Sequence, residues 1–294
     1  LTNCAAPGLH QQGGSFVSTS KLAAGSLLLF SLVLGLPAQQ PPSDPTALVR
    51  TAVQHRLDED KSHHPLRYTL RKRDTHLDTT KEIVETKDGD VARLVAINGK
   101  PLSPDAAKAE QQRLDALAAN PAMQARRQRS EQRDKDRVTR ILGLLPDALV
   151  YKFEGTVACG TGECYRMSFA PKPGWNPPDL ESELLKSVAG EVWIDKQQVR
   201  LVRLDAKFIA DANFGFGILA HINQGGTVRL EQSNVGGNDW ELTGLTTDLT
   251  GKALLFKSIN IQIREEASNF SEVPEGLSYR DAIHLLESGP AETK

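Results

Sequence analysis

The sequence has no excess of charge of either sign. Its 35 Lys and Arg against 37 Asp and Glu leave a formal net charge of −2, whereas a surface that binds phosphate backbones needs a clear basic excess. This argues against nucleic acid as a partner and leaves proteins, lipids and small molecules open. Common catalytic signatures are also missing. There is no His-Glu-x-x-His metal helix, no Gly-x-Ser-x-Gly nucleophile turn, no Gly-x-x-x-x-Gly-Lys-Ser/Thr loop and no dinucleotide fingerprint. These absences weigh against an enzyme, with an unrecognised hydrolase as the remaining alternative, and leave no catalytic residue, metal or cofactor to nominate. His55, His63, His64 and His76 lie near Asp58, Glu59 and Asp60. Nothing in their spacing makes three or four ligands converge on an ion, so they read as surface or turn residues.

Long hydrophobic runs are missing too. The apolar stretch Leu22–Leu36 has fifteen residues, short of the roughly twenty that span a bilayer core. It follows Lys21 and precedes Pro37-Ala38-Gln39, the order of a secretory signal peptide cleaved after Ala38. An uncleaved anchor over residues 22–36 is the alternative. Cysteine is scarce: Cys4 falls in this leader, leaving Cys159 and Cys164 in Cys159-Gly160-Thr161-Gly162-Glu163-Cys164. The C-x-x-C spacing of a two-cysteine redox catalyst is absent. Two glycines allow a tight reversal, and an exported compartment permits a disulfide; two buried free thiols are the alternative.

What the sequence does contain is strand alternation. Residues 39–46 form a proline-rich tether, and the ordered domain is expected over 47–287, with 288–294 as a tail. A first helix is predicted over Ala47–Leu57, with Leu48, Val49, Ala52, Val53 and Leu57 on one face. Leu66, Tyr68 and Leu70 alternate with Arg67, Thr69 and Arg71, a half-buried strand. Ile83-Val84 and Val91–Ile97 flank Lys87-Asp88-Gly89-Asp90, a hairpin. Ser103-Pro104 then caps a charged helical insertion over 103–145, broken at Asn120-Pro121. Its apolar positions are Leu114, Leu117 and Ala118, then Val138, Ile141, Leu142 and Leu145, and its central charged run reads as a solvent-facing helix.

From Leu149 onward strands dominate: 149–157, 163–169, 191–195, 198–208, 227–232, 240–247 and 252–264, with residues 180–188 readable as either helix or strand. Val202, Leu204, Ala206 and Phe208 alternate with Arg203, Asp205 and Lys207. Helical composition returns at 276–287. The expected fold is therefore mainly β (α+β): a curved antiparallel sheet or incomplete β-barrel covered by helices.

This order of leader, helix at 47–57, hairpins at 66–97 and a late meander through Gly190–Asp195, Arg200–Leu204 and 252–264 resembles the exported LolA/LolB-like superfamily. The resemblance implies a concave β-barrel-like fold in the bacterial periplasm that binds lipids, lipoprotein acyl chains or regulatory proteins without bond-making chemistry. The implied partner is an acyl chain, lipid or lipidated protein, with an envelope protein as the alternative. Aromatic character nominates Phe208, Trp240 and Phe256 for the wall of an apolar groove and Phe214 and Phe216 for a movable entrance. Ordinary core packing uses the same residue types.

Overall fold

The computed structural model describes residues 42–59, 64–160, 162–214, 220–237, 239–253 and 257–288, all within the compact unit Gln39–Lys294. The expected leader and the anchor alternative lie outside these residues. No helix among the described residues is long and apolar enough to cross a membrane.

Capping chemistry sets where the helices start. Helix α1 (Pro45–Glu59) begins at Asp44, whose carboxylate accepts from the Thr46 and Ala47 amides. Helix α2 (Pro104–Ala119) is capped by Ser103. Asn120 ends α2 and caps helix α3 (Pro121–Ala148) by accepting from the Met123 amide, with Pro121 in the first turn. The break at Asn120-Pro121 is therefore a helix start. The residues 180–188 left open by the sequence form a 3-10 turn over Glu181–Lys186 that leads into a strand.

The strands are β1 (Leu66–Arg73), β2 (Asp78–Val84), β3 (Val91–Ile97), β4 (Lys100–Pro101), β5 (Leu149–Cys159), β6 (Gly162–Pro171), β7 (Val188–Asp195), β8 (Leu201–Phe208), β9 (Ala212–Phe214), β10 (Ala220–Ile222), β11 (Thr227–Gly236), β12 (Asp239–Ala253) and β13 (Lys257–Glu272). Helix α4 (Tyr279–Glu287) follows. The sheet is antiparallel in the order β4-β3-β2-β1-β13-β12-β11-β8-β7-β6-β5, so the first and last long strands pair in its middle. Its ends, β4 and β5, do not pair with each other. The expectation of a β-barrel is corrected here: this is a mixed α/β fold whose large curved sheet stays open. Across the β5–β6 hairpin Cys159 and Cys164 form a disulfide, with their Cα atoms 5.8 Å apart.

Two cores use opposite faces of this sheet. Cross-strand register links Leu204, Leu230, Leu245, Glu265, Lys72 and Thr79 in one file, so these side chains share a face. On it, α1, the end of α3 and the 3-10 turn pack a first core of Val49, Val53, Leu145, Met167, Val192 and Leu204. Val84, five residues beyond Thr79, has the opposite parity. Around Val84 and Val91, α2 and α4 build a second core with Leu114, Leu117, Tyr279, Ile283 and Leu286. Helix α3 joins the two.

Candidate functional site

Between the cores, α3 passes over the sheet without filling the space beneath it. The result is an apolar groove of about 580 Å³, within the roughly 300–1,000 Å³ of small-molecule sites. Val138 and Leu142, one helical turn apart, form its roof. Leu201 of β8, Leu230 of β11, and Leu242 and Leu245 of β12 form its floor.

Two bulges make that floor apolar. Trp193 pairs with Arg203 but Ile194 pairs with Leu201, leaving Val202 as an extra residue and returning Leu201 to the face of Leu204. Glu231 pairs with Gly244 but Gln232 pairs with Leu242. Thr243 is the extra residue there, so Leu242 and Leu245, three apart, point the same way. Val138 is 57% and Leu242 38% exposed, so both roof and floor present apolar surface to the opening.

Polar groups fix the groove's inner wall. Gln232 is buried. With its amide oriented to satisfy both neighbours, it donates to the Leu201 carbonyl (2.8 Å) and accepts from Arg56 Nε (3.1 Å), tying α1 to the floor. On the same helix, Glu59 meets Arg200 at 2.9 Å, both side chains largely buried, though off axis for a hydrogen bond. Burial pushes the Glu59 carboxyl above its ordinary range, against the pull of Arg200 and Arg56. Glu85, Lys135 and Glu241 add charge around the groove.

The residues nominated from aromatic character do not come together here. Phe208 is buried in the first core, and Phe214 packs against that core. Trp240 is buried, with its indole N–H donating to Gln198 Oε1 at 2.8 Å. None of these three lines the groove, and Phe216 and Phe256 lie outside the described residues. The groove's roof was present in the sequence as the 138/141/142/145 stripe, but nothing there separated Val138 and Leu142 from Leu145, which is buried in the first core.

No catalytic cluster emerges among the described residues. His64, Asp239 and Glu272 bring donor atoms within 4.8 Å of one another, and His64 Nδ1 lies 3.7 Å from Asp239 Oδ2. These three are the side chains available to a cation, on an open surface with His64 half exposed. Asp195 approaches Cys159 and Cys164, but their sulfurs are bonded to each other.

No protein-family model and no curated protein matches this sequence. Among solved structures, an outer membrane lipoprotein-sorting protein domain from Vibrio parahaemolyticus is similar at 10% identity and a TM-score of 0.33, over 82% of this chain and 98% of that one. A DUF1329 family protein from Desulfovibrio piger is similar at 11% identity and a TM-score of 0.28, over 80% and 96%. A LolA superfamily protein from Nitrosomonas europaea is similar at 7% identity and a TM-score of 0.28, over 76% and 94%. Two of these three, the lipoprotein-sorting domain and the LolA superfamily protein, bear a weak likeness to this chain.

Proposed function

We propose that this is an exported, non-enzymatic binding protein that holds an acyl chain, from a lipid or a lipidated protein, in the groove beneath α3. The observation that carries the reading is the groove itself. Seven apolar residues of α3, β8, β11 and β12 line a space that both cores leave open. An aliphatic chain suits such a wall because each methylene moved out of water gains about 0.8 kcal/mol and asks for no hydrogen-bond partner. Export is supported by the leader-like order of residues 21–39.

The test is native mass spectrometry with lipid extraction of protein released gently from its own cells. An adduct whose mass is that of an acyl-bearing molecule is the expected result. Protein that arrives empty, and that also fails to bind twelve- to sixteen-carbon chains offered in solution, would overturn the reading. N-terminal sequencing of the same material tests export: a mature chain beginning near Gln39 is expected, and a retained leader would favour the anchor.

A further inference from the structure

The face of the sheet that carries the first core also carries an apolar strip outside both cores. On β13, Ile259, Ile261 and Ile263 stand opposite Gly251, Leu249 and Thr247 of β12. Thr247 is two residues along from Leu245 of the groove floor, so the strip and the floor share a face. Ile261 is 36% exposed and its two neighbours are half-buried, and none of the three belongs to either core.

The strip lies along an open edge. Strand β1 follows β13 only as far as the pair Arg73 and Arg264. Over residues 257–263, β13 therefore has β12 on one side and no strand among the described residues on the other. This end of the β12–β13 hairpin projects past β1, with β10 beside it through the pairing of Ala220 and Ala253.

The charge here has one sign, in a chain whose net charge is −2. Residues 249–264 include Lys252, Lys257 and Arg264 and no acid, and the connecting residues 215–219 and 254–256 are uncharged. Arg264 pairs with Glu266 at 2.8 Å. Lys252 and Lys257 are exposed, without an ion-pair partner among the described residues, and Lys257 shares the face of the isoleucines. The acids around them are turned away or engaged. Asp248, opposite Gln262, lies on the other face, Asp211 is 3.6 Å from His221, and Glu265 pairs with Lys72 at 2.8 Å.

Apolar side chains framed by unpaired cations suit an anionic lipid surface, where the isoleucines leave water at the acyl boundary and the ammonium groups stay among the phosphates. A second copy of the chain suits this face less well, because the same lysines would meet across a two-fold contact and lysine on an open edge opposes strand pairing. We infer that this end of the β12–β13 hairpin docks the protein on an anionic lipid surface, with Ile261 and its neighbours at the acyl boundary. The inference stands on the strip and its charge and does not depend on the groove reading.

The test sediments protein released from its own cells with vesicles of phosphatidylcholine alone, or of equal parts phosphatidylcholine and phosphatidylglycerol. Binding is expected with the phosphatidylglycerol vesicles, weaker with phosphatidylcholine, and falling as salt is raised. Lys252→Gln and Lys257→Gln are each expected to weaken binding to the anionic vesicles about fivefold. Ile261→Thr keeps a β-branched residue in the strand and is expected to weaken binding severalfold at an unchanged melting temperature. Leu242→Trp, in the groove, is expected to bind vesicles as the native chain does, so failure of the groove and failure of the docking surface are told apart. No sedimentation with either vesicle, or binding that the lysine and isoleucine substitutions leave unchanged, overturns the proposal. A dimer formed without lipid and dissociated by Ile261→Thr overturns it too, by giving the face to a second copy.

Discussion

Filling the groove from its own floor tests whether a chain lies in it. Leu242 is the position for this, because it is 38% exposed and belongs to neither core. In Leu242→Trp the new side chain exceeds the old by roughly the volume of two methylenes. A ligand displaced by that amount loses about 1.6 kcal/mol, or about fifteenfold in affinity. The assay is displacement of a fluorescent fatty-chain probe, with a thermal melt run alongside. The expected outcome is weaker binding with an unchanged melting temperature. Phe208→Ala supplies the contrast: a buried core residue whose truncation is expected to cost about 3–5 kcal/mol of stability and to leave probe affinity unchanged in the folded fraction. If Leu242→Trp binds as the native chain does while Phe208→Ala loses the probe, the ligand sits among the aromatics and the groove assignment is wrong.

Three further outcomes are expected. At Gly190 a β-carbon would collide with the Asp205 carbonyl of the adjacent strand and press on the Phe169 ring, so Gly190→Ala should destabilise by about 2 kcal/mol or more; a melting temperature equal to the native one refutes this close approach. The Cys159–Cys164 bond closes only a short loop, so its reduction should cost about 2 kcal/mol of stability, read from denaturant midpoints with and without reductant; identical midpoints count against it. Glu110 is buried, which pushes its carboxyl up, but hydrogen bonds from Arg113 and from the Leu94 amide outweigh burial and hold it below the usual range. Its stabilisation is therefore complete above the unfolded value near 4.5 and disappears as pH falls through the lower folded value. The native chain should lead Glu110→Gln at pH 7 and converge with it in acid; a pH-independent gap refutes the assignment.

Much of the sheet could be read from alternation alone, because one buried face imposes a period of two wherever the ladder is regular. It failed where the ladder is irregular. Alternation from Phe208 backward nominates Val202, yet the bulge at β7–β8 buries Leu201, at 7% exposure, in its place. The same kind of insertion hides Leu242, whose spacing of three from Leu245 looks like opposite faces until Thr243 is recognised as the extra residue. The site was less legible than the fold for a related reason. Aromatic residues signal a large apolar volume, but the volume around Phe208 is occupied by neighbouring core side chains. Whether a space is filled depends on which helix crosses it and at what height, and this is settled by long-range contacts that no local pattern reports.

Those contacts lie in α3. Its charged run reads as a solvent-facing surface, but parts of it act as fasteners. Gln124, Gln128 and Glu131 hold one end to the β2–β3 turn, and Arg137 and Arg140 pair with Glu181 and Asp179 beside the 3-10 turn. Leu145 and Ala148 then enter the first core. A helix secured at both ends cannot settle onto the sheet between them. In that interval it offers the groove Asp134, Lys135 and Thr139 besides Val138 and Leu142, too few apolar groups to cover four leucines on three strands. Collapse would take Lys135 and Asp134, which pairs with Arg137, out of water, and the desolvation penalty of several kcal/mol for each ion exceeds the gain from covering one or two leucines. The groove stays open because its roof is polar where closure would require it to be apolar, and an external aliphatic chain can satisfy the floor without burying either charge.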